Sequence, residues 1–262
     1  MNATYDEIES CLTLRPLRVH DERQVRTVML TGIRPTNPKA SRGEQTRDVL
    51  EQMERGLAEA GLKFSHVIRT WFYLKDILGW YGEFNQARTT FFEERGVFKG
   101  LLPASTGIGI DKMDCGLTAA VLAVEPLSPK VRIREIESPL QCPAPDYRSS
   151  FSRAVEVASP AGSRMYISGT ASIAPDGQSV YAEDVDKQID LTCKVIESML
   201  ESRRMGWAQV TRAVAYFRDE KDIPKLAKHL KRYAIPEDAL HCVEATVCRD
   251  ELLFELELDA ET

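Results

Sequence analysis

The chemically reactive residues of this sequence are concentrated near its C-terminus, on two strand-like runs at Leu240–Cys248 and Leu252–Asp259. In the second run, apolar residues alternate with Glu255, Glu257 and Asp259, which places these carboxylates on one face of a strand, about 7 Å apart. We expect the two runs to pair as antiparallel neighbours. The acid-base and thiol groups of the first run would then lie beside these carboxylates. They are His241, Cys242, Glu244 and Cys248.

Two interpretations of this cluster are open. In the first, the glutamates form the solvated face of a half-buried strand and the cysteines are small buried apolar residues. His241 likewise fits a half-buried strand residue better than a catalytic base. In the second interpretation the cluster is a catalytic site, and the remaining sequence favours it.

Length and composition describe an ordinary globular protein. The 262 residues suit one large or two small domains, and 43% hydrophobic and 28% charged residues are typical contents. No apolar run approaches the roughly 18 residues that would cross a bilayer, and the net charge of -6 disfavours broad contact with nucleic acid. The polar, acidic N-terminus has no targeting signal, so we expect a cytoplasmic protein that binds neither membranes nor nucleic acid.

The spacing of cysteine and histidine argues against a disulfide framework or a metal site. The six cysteines include no CxxC pair, and without an export signal they are expected to be free thiols. The four histidines are scattered, with no pair at metal-ligand spacing. We therefore expect no metal and no cofactor.

Hydrophobic periodicity predicts the same order of elements twice: strand, strand, helix, strand, helix, strand, strand. In the first half the predicted elements are Leu12–Val19, Val25–Gly32, Glu44–Ala60, Val67–Leu74, Trp80–Glu94, Pro103–Ile110 and Leu117–Val124. In the second half they are Val131–Ile136, Arg153–Val157, Arg164–Ile173, Asp184–Ser202, Val210–Phe217, Asp222–Arg232, Leu240–Cys248 and Leu252–Asp259, where either or both of the first two begin the half.

The helix-then-strand segments also match in their letters. Q-T-R-D-V-L-E-Q-M-E-R-G-L from Gln45 corresponds to Q-I-D-L-T-C-K-V-I-E-S-M-L from Gln188, and V-I-R-T-W-F-Y-L-K-D from Val67 corresponds to V-T-R-A-V-A-Y-F-R-D from Val210. The offset is 143 residues in both cases (188 − 45 and 210 − 67). We infer two copies of one α+β unit, residues 1–128 and 129–262.

Each unit is expected to be a mainly antiparallel sheet with two helices on one face. The other face of each sheet then needs cover, either from the other half of the chain or from oligomerisation. Pockets commonly form where domains meet, so the junction of the halves is the expected place for a site.

The repeated strand motif V-x-R-x-x-x-Y-[LF]-[KR]-D and the closing pair of strands that begins with proline resemble the Rid (YjgF-like) family, often labelled L-PSP endoribonucleases. The resemblance covers nearly the whole chain and implies a chorismate-mutase-like α+β fold in both units. It further implies trimeric, barrel-like assembly, hence a homo-oligomer. Small metabolites that carry a carboxylate are the implied ligands, bound in clefts between neighbouring domains.

The functional residues of the family's imine deaminases map unevenly onto the two copies. The arginine that holds the substrate carboxylate corresponds to Ser105 in the first copy and to Leu240 or a neighbouring residue in the second. In the second copy the family cysteine and the glutamate that positions water fall on Cys242 and Glu257, whereas glycine and alanine replace them in the first. The resemblance thus implies that the second copy carries the site and that the first is degenerate.

Four further stretches are similar to the chorismatases, a two-unit branch of this superfamily that hydrolyses chorismate. They are P-A-S-T-G-I-G (Pro103–Gly109), Y-R-S-S-F-S-R-A (Tyr147–Ala154), I-S-G-T-A-S-I (Ile167–Ile173) and C-R-D-E-L-L-F-E (Cys248–Glu255). In that family a glutamate on the final strand protonates the substrate, which implies Glu255 here. In some members a cysteine seven residues earlier steers the product, which implies Cys248. By this similarity the chain lacks some N-terminal sequence that typical chorismatases have.

Chorismate is a dicarboxylate with an enol ether, so its hydrolysis needs an acid, water and cations. A glutamate whose pKa is raised by apolar surroundings suits the first role. The substrate-binding candidates are Arg153, Arg164 and Arg212 (with Arg88 on another element that can line a cleft), Tyr147 as a donor, and Gly169 and Ala171 as the pocket floor. The structural alternatives are surface ion pairs for the arginines, a domain-boundary cap for the tyrosine, and close strand packing for the two small residues.

Several function classes therefore stay open. The chain is expected to be a hydrolase of the chorismatase kind, acting on an anionic enol-ether carboxylate. The alternatives are a Rid-type imine or enamine deaminase and a non-catalytic protein that binds a carboxylate metabolite. A ribonuclease is disfavoured by the acidity of the chain and by the absence of paired histidines.

Overall fold

The computed structural model describes residues 17–22 and 24–262, so most of the predicted first strand, Leu12–Val19, lies outside the described residues. The first half forms a five-stranded sheet in the order β1-β2-β5-β3-β4, in which only β3 and β4 pair in parallel. Its elements are β1 (Leu17–Glu22), β2 (Val25–Ile33), α1 (Arg42–Glu59), β3 (Val67–Leu74), α2 (Ile77–Glu94), β4 (Ala104–Gly109) and β5 (Leu117–Pro126).

The second half forms a six-stranded sheet in the order β10-β9-β11-β8-β7-β6, in which only β10 and β9 pair in parallel. Its elements are β6 (Arg132–Ile136), β7 (Ala154–Ser159), β8 (Gly162–Ala171), α3 (Val185–Ser202), β9 (Val210–Phe217), α4 (Leu226–Tyr233), β10 (Leu240–Glu244) and β11 (Phe254–Glu261). Both sheets follow the predicted order, and the α+β prediction is confirmed.

Two local predictions are wrong. The runs that became β10 and β11 do not pair with each other, because β9 lies between them. β10 follows a helical crossover from β9 and therefore runs parallel to it, as such connections require. The predicted helix Asp222–Arg232 is also broken: a 3-10 helix covers Glu220–Lys225, contains Pro224, and gives way to the short α4.

The two sheets pack against each other through the faces that their helices leave bare. One core cluster lies between α1, α2 and the first sheet, a second lies between α3, α4 and the second sheet, and a third lies between the sheets. Pairing of the two halves within one chain therefore covers the inner sheet faces. No helix among residues 17–22 and 24–262 combines the length and apolarity needed to cross a bilayer.

Hydrogen bonds join the edge strand β4 of the first sheet to the second half of the chain. The Ser105 amide donates to Ser168 Oγ at 2.9 Å, and the Gly169 amide donates to Thr106 Oγ1 at 3.1 Å. The Ser152 amide donates to the Pro103 carbonyl at 3.0 Å, beside a bridge between Ala104 and Ser152. This junction of β4 with β8 forms the floor of a cleft.

Candidate active site

A cleft of about 510 Å³, measured with its open mouth, lies where the two halves meet. Its walls come from α2, from β4, from the ends of β8 and β11, and from the loops before β7 and β11. The residues that line it are Tyr81, Arg88, Ser105, Gly107, Tyr147, Ser149, Phe151, Arg153, Gly169, Ala171, Ile173, Cys248, Arg249, Leu252 and Glu255. All four chorismatase-like stretches contribute to it.

Glu255 is the one carboxylic acid among the residues that line this cleft. It lies on β11 between β8 and β9, opposite Ala171 and Tyr216, and only 5% of it is exposed. Burial, together with the negative charge of Glu257, raises the pKa of Glu255 to about 8, although Arg69 partly opposes the shift. The carboxyl is therefore mostly protonated at neutral pH and can act as an acid.

The carboxyl of Glu255 occupies space that exists because residue 169 has no side chain. A Cβ built on Gly169 would lie 2.9 Å from the Glu255 carboxyl carbon and closer still to Oε1. The strand β8 thus leaves a notch into which the acid fits. This is the physical reason for a glycine at the floor of the cleft.

Arg88 is a buried cation that lacks a carboxylate partner. It projects from α2, is 1% exposed, and is held by Asn85 Oδ1 at 2.6 Å and Ser105 Oγ at 3.4 Å. Its Nε has no partner, and no carboxylate oxygen of the described residues lies within 4.0 Å of it. Burial lowers the pKa of Arg88, although Tyr81 partly opposes the shift.

Arg153 and Arg249 bring two more guanidinium groups to the same cleft. Arg153 donates from Nε and Nη2 to the Cys142 carbonyl at 3.1 and 2.8 Å, and Arg249 donates from Nη1 to the Gly177 carbonyl at 2.8 Å. Within the described range neither forms an ion pair with a carboxylate. Both stack on the ring of Tyr147, at 5.3 and 5.1 Å from its centroid.

Tyr147 and Cys248 both remain protonated at neutral pH. Burial raises the pKa of Tyr147 to about 12, so its hydroxyl is a hydrogen-bond donor. Burial and the neighbouring Glu255 raise the pKa of Cys248 to about 12, which excludes a thiolate nucleophile in this state. Cys248 therefore contributes shape and a weak S–H donor to the cleft.

Six sequence-predicted site residues come together in the cleft, and four do not. The six are Glu255, Cys248, Arg153, Tyr147, Gly169 and Ala171. Arg212 and Glu257 lie between the sheets and bind each other, at 2.6 Å between Nη2 and Oε1. Arg164 pairs with Glu261 at 2.7 Å, and Cys242 lies on the edge strand β10, where burial raises the pKa of its thiol to about 11.

Sequence reasoning did not select Tyr81, Ser105 or Arg249 as binding residues. Arg249 follows Cys248 directly and lies inside a chorismatase-like stretch, so the signal for it was present. Arg88 is predicted from the sequence only to lie on an element that can line a cleft, and the structure places its guanidinium beside Ser105. The contact joins α2 to β4, which the linear sequence does not show.

The described residues contain no group of three or more His, Cys, Asp or Glu side chains placed to hold a metal ion. Among the five cysteines described, all are free. The arrangement in the cleft is instead an acid surrounded by anion-binding groups. Such a site can deliver a proton to a small, negatively charged molecule.

Two sheet-and-helix units packed face to face, with a cleft at their joint, define a tandem protein of the Rid class. The chain belongs to the Endoribonuclease L-PSP family, whose model matches residues 20–123 and again residues 142–262. The tandem architecture predicted from the internal repeat is thereby confirmed.

Comparison with individual proteins connects the chain to the chorismatases. A curated chorismatase from Streptomyces hygroscopicus is 27% identical over 219 residues, an alignment that covers 75% of this chain and 62% of the relative. A crystal structure of a chorismatase superposes with a TM-score of 0.75 at 20% identity, over 94% of this chain and 78% of that chain. Yeast Mmf1 matches half of the chain, with a TM-score of 0.41 at 18% identity, over 49% of this chain and 98% of its own.

Proposed function

We propose that this protein hydrolyses a small enol-ether dicarboxylate, with chorismate as the first substrate to test. The observation that carries the proposal is one buried, protonated carboxyl, Glu255, in a cleft with three guanidinium groups that form no ion pair with any described carboxylate. Similarity to the chorismatase from Streptomyces hygroscopicus supports the choice of substrate. The chain spans 62% of that relative's length. The activity is therefore proposed from the residues of this chain's own cleft.

Proton transfer from Glu255 begins the proposed reaction. Its carboxyl O–H protonates the methylene carbon of the enolpyruvyl group, and the ether carbon becomes an oxocarbenium ion. A water molecule adds to that carbon and returns a proton to the Glu255 carboxylate. The resulting hemiketal breaks its bond to the ring oxygen, and its hydroxyl proton passes to that oxygen, which gives pyruvate and a ring diol. One water is consumed and the acid is regenerated, as general acid catalysis requires.

The arginines are suited to hold the two carboxylates of such a substrate. A carboxylate bound by Arg88 would supply the counter-charge that no described carboxylate gives this buried cation. Arg153 and Arg249 flank Tyr147 and can hold the second carboxylate. The backbone and ring contacts that fix these side chains also orient them before the substrate arrives.

The test is release of pyruvate from chorismate by the purified chain, with Glu255→Gln as the inactive variant. Glu251→Gln is the matched control, because Glu251 is exposed and lies outside the cleft. We expect pyruvate from the wild type and from Glu251→Gln, but not from Glu255→Gln. Absence of pyruvate from the wild-type chain, or equal release by the Glu255→Gln variant, would contradict the proposal.

A Rid-type imine deaminase is the second candidate, and the position of Arg88 favours it. Its Nη1 lies 3.4 Å from Ser105 Oγ, the position that corresponds to the arginine that holds the carboxylate in family deaminases. This function would be seen as faster ammonia release from 2-aminoacrylate. If chorismate instead raises the melting temperature without turnover of either compound, the site belongs to a metabolite-binding protein.

The notch at Gly169 gives a further prediction for the proposed reaction. Gly169→Ala should displace the Glu255 carboxyl, because the new methyl group would take its place, and should reduce pyruvate release by about 100-fold. The fold should survive, since the end of one glutamate side chain can rotate away. Pyruvate release and thermal melting are the measurements.

Gly82→Ala on α2 is the control for this notch, because Gly82 is exposed and lies outside the cleft. A Cβ there meets nothing within 4 Å. We expect this variant to remain within a few-fold of the wild type. Similar losses in the two alanine variants would show that the notch has no special role.

A further inference from the structure

Glu257 makes the densest set of polar contacts among the described residues. It is fully buried between the sheets and accepts hydrogen bonds from four side chains on three strands. Arg69 Nη2 and Arg212 Nη2 each donate at 2.6 Å, and the Trp71 indole donates at 3.0 Å. The fourth donor is the hydroxyl of Thr106. A carboxylate this well bound is anchored in one position.

The two arginines that hold Glu257 are equivalent residues of the internal repeat. Arg69 and Arg212 are 143 residues apart and occupy the arginine position of the repeated strand motif in β3 and β9. Burial alone would raise the pKa of Glu257, but Arg212, Arg69 and the hydrogen bond from Thr106 outweigh it and hold that pKa below its usual range. Glu257 is therefore a permanent negative charge at the contact between the two sheets.

Thr106 carries this network to the floor of the cleft. Its hydroxyl donates to Glu257 and accepts from Arg69 Nη2 at 2.9 Å and from the Gly169 amide at 3.1 Å. Gly169 in turn borders the Glu255 carboxyl. Glu255 and Glu257 also share one face of β11, two residues apart. Glu255 is thus connected to Glu257 in two ways, along strand β11 and through the hydroxyl of Thr106.

Charged and titratable groups surround Glu255 on several elements. They are Glu257 on β11, Arg69 on β3, Tyr216 on β9, Tyr81 and Arg88 on α2, Tyr147 and Arg153 in the loop before β7, and Cys248 and Arg249 in the loop before β11. Two of these have opposite effects on the proton affinity of Glu255: Glu257 raises its pKa and Arg69 lowers it. Neither Glu257 nor Arg69 lines the cleft.

We propose that Glu257 is a positioning residue that acts through Glu255: it fixes the floor of the cleft and holds a negative charge beside the catalytic acid. This inference rests on the proposed role of Glu255 as the acid. Glu257 itself transfers no proton, because its oxygens are occupied by four donors and it stays ionised. Its effect is to keep Glu255 protonated where an isolated glutamate would be ionised.

The test compares two substitutions of opposite expected effect on the titration of Glu255. Glu257→Gln removes the negative charge, so the midpoint of Glu255 should fall by about one pH unit or more. Arg69→Gln removes a positive charge, so the midpoint should rise. Carbon-13 NMR of glutamate-labelled protein measures the midpoint, and the Glu255→Gln spectrum identifies the resonance. Loss of pyruvate release with rising pH should shift in the same two directions, because only protonated Glu255 is active.

If Glu257 had only a structural role, substitutions of Glu257 and Arg69 would lower stability without shifting the titration midpoint of Glu255 in opposite directions. Glu257→Asp is the control, since it keeps the charge and shortens the side chain, and it should lower the melting temperature but leave the midpoint near the wild-type value. Glu257→Gln that folds with an unchanged midpoint would overturn the proposal. If Glu257→Gln does not fold, Arg69→Gln decides alone, and a midpoint that fails to rise would overturn the proposal.

The NMR titration separates this inference from the proposed function, because it needs no substrate. Opposite shifts in a chain that does not hydrolyse chorismate would support the role of Glu257 and refute the proposed hydrolysis. Pyruvate release with unshifted midpoints would support chorismate hydrolysis and overturn the role of Glu257.

Discussion

Replacing Glu255 by Gln is expected to reduce pyruvate release from chorismate by about 1000-fold and at the same time to stabilise the folded chain. The loss of rate follows because an amide cannot deliver a proton to carbon, and a positioned general acid contributes typically about 10²–10⁴-fold. The substrate should still bind, because Arg88, Arg153 and Arg249 are unchanged. We therefore expect the loss in kcat, with KM within a few-fold of the wild-type value.

The gain in stability follows from the raised pKa of Glu255. At neutral pH the unfolded chain carries an ionised carboxylate, with a pKa near 4.5, whereas the folded chain must protonate it or bury its charge. A shift to about 8 costs roughly 3 kcal/mol at pH 7, and glutamine removes that cost. Below pH 4.5 both states are protonated and the cost disappears, so it develops between pH 4.5 and pH 8 as pH rises.

Urea unfolding of the wild type and of Glu255→Gln, at pH 5 and at pH 8, measures this difference. The variant should exceed the wild type by only a small margin at pH 5 and by the larger margin at pH 8. Glu251→Gln should follow the wild type at both values, because its side chain is exposed. An inactive Glu255→Gln chain whose stability differs from the wild type equally at both pH values would show that Glu255 titrates normally.

Much of the fold could be predicted because its strongest signals are local. The strands Val67–Leu74 and Val210–Phe217 were predicted with the bounds that the structure has, since both are largely apolar runs that carry the repeated motif. The helix α1 begins at Arg42, two residues before the predicted start, because Ser41 is its N-cap and forms a capping box with Glu44 in the first turn. Strand pairing could not be predicted as well, because the alternation of apolar and polar residues indicates which face a side chain occupies but not which strand lies next to it.

The candidate site was predictable in part for the same reason. Glu255 and Cys248 lie in a recognisable stretch, and the structure brings both to the cleft. The burial of Glu257 was not visible, because an alternating strand looks the same whether its polar face meets solvent or a second polar sheet surface. Arg212 was expected to bind substrate, but its partner is a carboxylate 45 residues away in sequence. Contacts of that kind depend on how the two sheets pack.

Arg88→Met is expected to raise KM for chorismate by about 100-fold or more while leaving the fold as stable as the wild type, or more stable. The guanidinium lies 5.8 and 5.0 Å from the rings of Phe72 and Phe84, and it has no carboxylate partner among the described residues. A methionine of similar length can pack against the same two rings, and apolar replacement of a buried charge is often neutral or stabilising by about 1–4 kcal/mol. Loss of one buried partner of a bound carboxylate costs about 2–5 kcal/mol of binding.

Steady-state kinetics and urea unfolding of the same preparation measure both effects. Arg95→Met is the matched control, because Arg95 also stacks on an aromatic ring, that of Phe91 at 4.2 Å, but pairs with Glu54 at the surface. It should leave KM unchanged and, if anything, reduce stability slightly. An Arg88→Met chain with wild-type KM would mean that the substrate carboxylate is held elsewhere in the cleft. A destabilised Arg88→Met chain would mean that the charge of Arg88 already stabilises the folded protein when no substrate is bound. That result would contradict the expectation drawn from the absence of a described carboxylate beside Arg88.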